Sequence, residues 1–439
     1  MPHTVPSPDP EAAASAELAR RTARVEASLT EPGAPFAVVL GERGTPEYAD
    51  GPRTLREFVE TTWAYGETPF LIAGERTCSY GEFFAAASAL AVRLREGYGL
   101  RPGDRAVIAS GNRPEWQIAF WAAQLAGLVA VPLDAGWTED AFTYALDDCE
   151  PGVLLVDGER LGRVAGWARR TGARVVLFPG SGDEGASGPR AEFLGSGDEG
   201  ASGPRAEFPG GGRAADGLRV ERYEDFPAPD PLAAPPDVEP RPEDDATILY
   251  TSGATGRLRG VVATHLAQAG AALNARYRAA ASARARGAIP GLEPVPVSPM
   301  AVPFSDAAAF TGFYGAMAAG GALALTAGPA AGAGPAGYGL AETCGVVLTP
   351  FGDDRRAESA GAGRPAPVTE VRIAGPSGGE LPDGEPGELW LRGQSLFRGY
   401  WRDAAATGAA FGDGGWFRTG DRAVRRDGWV SVVGRPKGA

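Results

Sequence analysis

The sequence predicts an α/β fold, and two features of its first half indicate this class. Short apolar runs rich in valine, alanine and leucine alternate with longer segments whose apolar residues have helical spacing. The runs are almost wholly apolar, as expected for strands of a parallel sheet that helices cover on both faces. With 439 residues, the chain is long enough for a large core and two or three structural units.

The elements of this half follow in order from Thr54. Ser79 and Glu82 form a capping box, which begins a helix that we expect to end near Glu96. Pro114 stands in the first turn of a later helix, where its missing N–H costs nothing. The predicted order is helix 54–65, strand 70–73, helix 80–96, strand 105–110, helix 114–126, strand 128–132, helix 139–149, strand 153–157, helix 160–170 and strand 173–178.

Three segments are predicted to lie outside this regular architecture. Residues 1–35 are rich in Pro, Ala and Glu, and we expect a flexible N-terminal tail. The sequence GSGDEGASGPRAEF occurs at 180–193 and again at 195–208, within a low-complexity insertion over 179–217. We expect this insertion to be a disordered surface segment, with a recognition element as the alternative. Residues 227–243 form a Pro-rich connector.

Composition excludes several classes of function. The net charge is −13 and no basic patch stands out, which argues against a nucleic-acid partner. The N-terminus does not read as a signal peptide, and the apolar stretches 118–133 and 307–325 are too short or too weakly hydrophobic to span a membrane. The three cysteines, Cys78, Cys149 and Cys344, are far apart, so a reducing cytoplasm is the predicted compartment.

Histidines are almost absent from the chain. The two present are His3 and His265, and neither is a plausible general base, so a Ser-His-Asp hydrolase is excluded. We expect His265 to be a packing residue. The remaining elements predicted in the second half are helix 266–281, strand 295–304, helix 307–319 and strand 322–326.

The stretch from Ile248 to Gly260, ILYTSGATGRLRG, carries the first chemical signal. A strand breaks into a loop where glycines turn backbone N–H groups inward and threonine and serine add hydroxyl donors. Arg257 and Arg259 follow with positive charge. Such a loop suits a polyphosphate, although it does not fit the G-x-x-x-x-G-K-[ST] pattern. Taken alone, TSGATG would read as an ordinary surface turn.

The longer string YTSGATGRLRGVVATH resembles the YTSGTTGxPKGV-x-x-x-H signature of the adenylate-forming superfamily, which includes acyl-CoA synthetases and the adenylation domains of peptide synthetases. YGLAET, starting at Tyr338, resembles the superfamily's YGxTE motif. GELWLRG, GYW and WFRTGD follow in the same order, and DGWVSVVGRPKGA resembles its DGYxxxxGRxKD hinge. RPGDRAVIASGNRPEW and AGLVAVPLD are similar to the N-terminal half of acyl-CoA synthetases.

The resemblance implies a role for each matching residue. Tyr338 would stack on adenine, Glu342 would hold Mg²⁺ on the phosphates, and Asp421 would bind the ribose. A carboxylate suits the last task because it accepts from both hydroxyls of a cis-diol at once. The nucleotide-binding residues implied are Thr251, Ser252, Gly253, Thr255, Gly256, Tyr338, Gly339, Thr343, Asp421 and Arg435, and the catalytic residues are Glu342 and Arg259.

The chain also departs from the pattern. Ala341 stands where a threonine usually meets the α-phosphate, and residues 302–306 lack the family's histidine. The interval between the first two motifs is shorter than in the family. The resemblance implies a large N-terminal domain over 36–434, with parallel-rich sheets and a small β-rich subdomain, then a hinge stub over 435–439. The C-terminal domain with its lysine is expected to be missing, because Lys437 belongs to the hinge.

The activity implied is ATP-dependent activation of a carboxylic acid, giving acyl-AMP and then a CoA thioester. GELWLRG and GYW look most like fatty or medium-chain acyl-CoA synthetases, so ATP, Mg²⁺ and CoA are the expected cofactors and co-substrates. We expect this chain alone to turn over slowly. Two alternatives stay open. One is a catalytically impaired nucleotide-binding relative or decayed fragment, and the other is an adenylation half completed by a separate C-terminal domain.

Overall fold

A computed structural model describes residues 10–179, 217–252, 257–287, 296–326, 337–350 and 362–434. The helices in these ranges are α1 Pro10–Thr30, α2 Leu55–Thr61, α3 Tyr80–Val92, α4 Pro114–Leu125, α5 Glu139–Cys149, α6 Gly158–Thr171, α7 His265–Arg286, α8 Ala307–Ala318 and α9 Ala404–Ala410.

Strands are distributed along the whole of the described chain. They are β1 Val38–Leu40, β2 Pro46–Tyr48, β3 Pro69–Ala73, β4 Arg76–Ser79, β5 Arg105–Ala109, β6 Val129–Pro132, β7 Val153–Val156, β8 Arg174–Leu177, β9 Arg219–Arg222, β10 Asp245–Ser252, β11 Leu258–Thr264, β12 Val297–Met300, β13 Ala322–Leu325, β14 Tyr338–Leu340, β15 Gly345–Thr349, β16 Ala362–Pro365, β17 Thr369–Ala374, β18 Gly387–Gly393, β19 Gly399–Tyr400, β20 Phe411–Gly412, β21 Trp416–Arg426 and β22 Trp429–Gly434.

The largest parallel-rich sheet has the order β19-β11-β10-β6-β5-β7-β8-β9. Neighbours from β10 to β9 run parallel, whereas β11 and β19 are antiparallel additions at one edge. Every residue of β6 and β7 is buried, because helices cover both faces of these strands. The predicted α/β class is therefore confirmed, and its apolar strand pattern has the predicted cause.

A second sheet, of order β12-β13-β3-β4, packs beside the first through an aromatic core. Trp116, Phe120 and Trp121 on α4 meet Phe310 and Phe313 on α8, with ring centres 5–6 Å apart. All five side chains are fully buried. Helix α4 is buried over its length from Glu115 onward, so it joins the two sheets rather than facing solvent.

The third sheet, of order β14-β15-β16-β22-β21-β18-β17, is antiparallel throughout. It corresponds to the small β-rich subdomain that the sequence implied. Strands β10 and β11 form a hairpin on the first sheet, and β19 pairs with β11. β19 follows β18 in the chain, and β18 pairs with β21. The hairpin β10–β11 and the strands β18, β19 and β21, each of which carries part of a sequence motif, therefore lie in one region.

The N-terminal segment differs from its prediction. Residues 10–30 form α1, where composition predicted a flexible tail over 1–35. The helix packs on α7, and Leu29, Phe36, Tyr277 and Ala281 form a small buried cluster between them. Burial of these apolar side chains accounts for order that composition alone did not predict, and the prediction is corrected for this segment. The duplicated repeats at 180–208 lie outside the described residues.

His265 has the packing role that the sequence predicted. Its side chain is 1% exposed, and its Nδ1 atom accepts a hydrogen bond from the Leu55 N–H at 3.3 Å. Burial lowers the pKa of the imidazole to about 4, so the ring is neutral near pH 7. The three cysteines are free and buried. None of the helices within the described ranges has both the length and the apolar character needed to cross a bilayer.

Candidate active site

The β10–β11 hairpin brings the two ends of the Gly/Ser/Thr loop together. Thr251 pairs with Arg259 across the hairpin, and Ser252 pairs with Leu258. Ser252 is exposed and Thr251 is half-buried. The predicted phosphate-binding residues Gly253, Thr255 and Gly256 lie outside the described residues, as does Arg435.

Tyr338 and Asp421 are brought into direct contact by the third sheet. The Tyr338 hydroxyl donates a hydrogen bond to Asp421 Oδ2 at 2.7 Å, across 83 positions of sequence. The two residues are 9% and 8% exposed. The two residues that the sequence assigned to the adenine and the ribose of one nucleoside are thus neighbours in space.

A β-bulge in β21 presents the Asp421 carboxylate. The pairing register between β18 and β21 shifts at this point, and Gly420 has φ +75°, a conformation that suits glycine. The Thr419 hydroxyl accepts from the Asp421 N–H at 3.1 Å and donates to the Leu389 carbonyl at 2.8 Å. The Gly420 N–H donates to the Glu388 carboxylate at 3.2 Å. In the TGD sequence, Thr419 thus braces the bulge, Gly420 adopts its positive φ, and Asp421 is the residue that the bulge presents.

Glu342 lies in a short 3₁₀ turn, Ala341–Thr343, that follows β14. Its backbone carbonyl accepts from the Phe397 N–H at 2.8 Å, and its Oε1 accepts from the Tyr400 hydroxyl at 2.9 Å. The Arg259 guanidinium carbon lies 5.5 Å from the centre of the same tyrosine ring. Tyr400 therefore contacts both predicted catalytic residues. The sequence signal was the GYW motif, from which no individual role was assigned to Tyr400.

Thr343 and Gly339 support the turn that carries Glu342. The Thr343 side chain is fully buried, and its hydroxyl accepts from the Leu340 N–H at 2.8 Å and donates to the Gly345 carbonyl at 2.6 Å. A Cβ at Gly339 would lie 2.1 Å from the same Gly345 carbonyl oxygen, so only glycine fits. The Thr343 hydroxyl therefore holds the turn, and a nucleotide contact by Thr343 stays a prediction.

The two arginines that follow the loop face different neighbours. Arg257 donates from Nε to the Tyr144 hydroxyl at 3.2 Å, and its guanidinium carbon lies 5.7 Å from the centre of that ring on α5. Arg259 faces Tyr400 and hence Glu342. Of the pair, Arg259 is the one that contacts the tyrosine bonded to Glu342.

Glu342 fits a metal ion that arrives with its nucleotide. Across the described part of the chain, no group of three or more His, Cys, Asp or Glu side chains forms a metal cage. Mg²⁺ usually retains several waters and binds through one or two carboxylates together with substrate phosphates. A single half-buried carboxylate is a donor of this kind.

An open groove of about 700 Å³ lies on the outer side of β18 and β21. Arg372, Arg418 and Arg422 line it, and it shares Gly420 with the bulge. None of the residues Tyr338, Glu342, Tyr400 and Asp421 belongs to its lining. These four residues, rather than the groove, mark the candidate site, and we call them the polar cluster.

The fold and the polar cluster define an α/β protein whose candidate site lies where the third sheet meets β19. The AMP-binding enzyme family matches residues 58–336 and 331–401, most of the chain, and the protein belongs to this family.

Several curated relatives carry the names of CoA ligases or CoA synthases. The chain is 27% identical over 434 residues to 4-coumarate–CoA ligase-like 6 of Oryza sativa, covering 82% of this chain and 65% of that protein. It is 27% identical over 417 residues to feruloyl-CoA synthase of an Amycolatopsis species, covering 83% and 74%. A long-chain-fatty-acid–CoA ligase of Yersinia pestis is 40% identical over 102 residues, which are 23% of this chain and 18% of that protein. The matched part of this chain thus covers less than two thirds of the length of the Oryza and Yersinia relatives.

Solved structures share the fold. The N-terminal domain of FACL13 from Mycobacterium tuberculosis has a TM-score of 0.63 and 21% identity, covering 87% of this chain and all of that chain. ATP-bound MatB from Rhodopseudomonas palustris has a TM-score of 0.66 and 21% identity, covering 87% and 78%. At this level of identity the comparison establishes the architecture.

Proposed function

We propose that this protein activates a carboxylic acid with ATP, forming an acyl-AMP and pyrophosphate, and then passes the acyl group to CoA. The observation that carries the proposal is the contact between Tyr338 and Asp421. Glu342 lies in the 3₁₀ turn that follows the strand of Tyr338. Residues 36–434 are assigned to the AMP-binding domain. A reducing cytoplasm is the proposed location.

Asp421 and Tyr338 are assigned to the nucleoside. The Asp421 carboxylate has two acceptor oxygens, and the Tyr338 hydroxyl donates to Oδ2. A ribose diol presents two donors, and each carboxylate oxygen can accept more than one hydrogen bond, so the diol binds beside the Tyr338 hydroxyl. The Tyr338 ring supplies an aromatic face for adenine. The bulge holds the carboxylate in place before the ligand arrives, which lowers the conformational cost of binding.

Thr251, Ser252, Arg259 and Glu342 are assigned to the phosphates. A carboxylate oxygen of the acid attacks the α-phosphorus, the bond from that phosphorus to the bridging oxygen breaks, and pyrophosphate leaves. Negative charge develops on the phosphate oxygens, and hydroxyl and guanidinium donors stabilise it. Mg²⁺, held by Glu342, would supply further positive charge there. In the second half-reaction the CoA thiolate attacks the acyl carbonyl carbon, and AMP leaves.

The acid is proposed to be apolar, of the fatty or medium-chain class. The relatives that are named as CoA ligases or synthases carry 4-coumarate, ferulate or long-chain fatty acids in their names. All of these acids present an apolar body behind the carboxylate. The GELWLRG and GYW motifs favour the fatty-acid group.

A second candidate function is nucleotide binding without efficient turnover. Ala341 lies in the turn beside Glu342 and has no hydroxyl to offer the α-phosphate. A lost hydrogen bond to a charged group costs about 1.5–3 kcal/mol. This candidate shares the nucleotide site with the first and differs from it only in rate.

ATP–pyrophosphate exchange tests the proposal. Purified protein is incubated with ATP, Mg²⁺, labelled pyrophosphate and one acid at a time, from acetate through long-chain fatty acids to 4-coumarate and ferulate. The proposal expects acid-dependent label in ATP, highest for an apolar acid. Binding of AMP without exchange by any acid would contradict carboxylate activation and support the second candidate.

A further inference from the structure

Tyr400 contacts two opposite charges at the candidate site. Its hydroxyl donates to Glu342 Oε1 at 2.9 Å, and the Arg259 guanidinium carbon lies 5.5 Å from the centre of its ring. Within the part of the chain that the structure describes, Arg259 and Glu342 make no ion pair with each other or with another residue. The tyrosine thus contacts both charges while they stay unpaired.

An arginine and a carboxylate that both contact one tyrosine without pairing with each other form an unusual arrangement. Guanidinium and carboxylate groups normally form paired, charge-assisted hydrogen bonds when they are close. Such a pair would use the donors of Arg259 and the acceptors of Glu342. Because each group contacts Tyr400 instead, the guanidinium keeps its donors for an anion, and Glu342 keeps one oxygen for a cation.

The backbone fixes the position of Tyr400 independently of both charges. The residue pairs with Val261 across β11 and β19, which holds it next to the hairpin. Its N–H donates to the Thr407 hydroxyl at 2.9 Å, and the Phe397 ring packs on it with centres 5.1 Å apart. The ring is therefore placed by β19 itself and does not depend on a bound ligand.

We infer that Tyr400 is a positioning residue that keeps Arg259 and Glu342 apart, so that the arginine meets the phosphates and the carboxylate meets their metal ion. The inference rests on the proposed function, since it assumes that Mg²⁺ and ATP bind here. The hydroxyl orients the carboxylate, and the ring holds the guanidinium. The two parts of the side chain can be removed separately.

Calorimetric titrations of Tyr400→Phe and Tyr400→Leu test the role. Each variant and the wild type are titrated with AMP in the presence of EDTA, and with ATP in the presence of Mg²⁺. For Tyr400→Phe, the affinity for Mg²⁺·ATP is expected to fall about ten-fold, because the carboxylate loses its orienting donor, while the affinity for AMP stays within about two-fold. Tyr400→Leu is expected to lose more affinity for Mg²⁺·ATP, since Glu342 can then pair with Arg259.

Tyr98→Phe is the matched control. The Tyr98 hydroxyl also donates to a carboxylate, Glu221 Oε2 at 3.0 Å, at the far edge of the first sheet. Its removal should leave both titrations unchanged. Equal weakening of AMP and Mg²⁺·ATP in Tyr400→Phe would show a general structural role and overturn the inference, as would wild-type affinity for both. If the wild type itself binds neither ligand, the proposed function fails as well.

Discussion

The aromatic core around α4 and the polar cluster at the β-rich sheet are held together by different interactions. In the core, fully buried rings of Trp116, Phe120 and Trp121 pack on α8, with few polar atoms among them. In the polar cluster, Tyr338 and Asp421 make a hydrogen bond with both partners nine-tenths buried. Dispersion and apolar burial stabilise the first region, whereas directional contacts to carboxylates fix the second.

The difference separates stability from ligand binding. Core side chains contribute to the free energy of unfolding in proportion to the area they bury and do not reach a ligand. The hydroxyls and carboxylates of the polar cluster contribute less to stability but decide which groups a nucleotide can contact. Substitutions in the two regions should therefore change different measured quantities.

Trp121→Ala should have the largest effect on stability. The side chain is fully buried against Phe58, Phe120 and Tyr314, so its loss leaves a cavity. The expected decrease in the free energy of unfolding is about 3–5 kcal/mol. Urea denaturation followed by far-ultraviolet circular dichroism measures it. Leu232→Ala, at a side chain 92% exposed, is the control and should change stability by less than about 0.5 kcal/mol. A loss below 1 kcal/mol for Trp121→Ala would contradict the description of the core.

His265 places one titratable group within the packed region, and stability should therefore depend on pH. The ordinary pKa of 6.5 falls to about 4 in the folded chain because the ring is buried. Between these values the unfolded chain binds a proton that the native chain does not, so stability decreases as pH falls from 6.5 towards 4. The loss across the window is about 3 kcal/mol, at about 1.4 kcal/mol per pH unit.

Denaturation curves of wild type and His265→Asn between pH 7.5 and 4.5 check this expectation. Asparagine can still accept from the Leu55 N–H but does not titrate in this range. Carboxylates contribute to both proteins, so the difference between the two curves isolates the imidazole. Parallel curves would show that the native pKa of His265 is close to its ordinary value.

Tyr338→Phe should have a smaller effect, and one that appears in binding. The ring remains as a surface for adenine. Asp421, however, loses the hydroxyl that donates to its Oδ2 atom at 2.7 Å and orients the carboxylate. We expect the affinity for AMP to fall about ten-fold, as calorimetry would show, because a hydrogen bond to a charged group is lost. Tyr314→Phe removes a buried hydroxyl that donates to Gln268 at 3.0 Å in the core, and it should reduce stability without changing AMP affinity. Equal AMP affinities in the two variants would contradict the role of the Tyr338 hydroxyl in orienting the Asp421 carboxylate.

The sequence predicted the fold well where local signals were strong. The helix expected at 139–149 has those bounds, and the Ser79–Glu82 capping box is present with both of its hydrogen bonds. Both are properties of a few consecutive residues. The prediction of a flexible tail was wrong for the residues of α1, because the packing of this helix depends on α7, more than 200 residues away.

The candidate site was predicted as motifs but not as contacts. Spacing along the chain did not indicate that Tyr400 would meet Glu342, since β19 pairs with β11 only in the folded sheet. Nor did it show that Thr343 would be buried within its own turn. Motif residues share a region because strands pair, and strand pairing between distant segments is the part of a fold that local sequence determines least.

The binding of AMP by the Asp421→Ala variant tests the central claim most directly. Asp383→Ala, which removes an exposed carboxylate paired with Arg425 in the same β-rich sheet region, is the matched control. Calorimetric titration should show AMP binding by wild type and control, and a loss of about 100-fold or more for Asp421→Ala, since two hydrogen bonds to a charged acceptor disappear. Equal affinity of all three proteins for AMP would contradict the assignment of Asp421 to the ribose, and with it the nucleotide site described here.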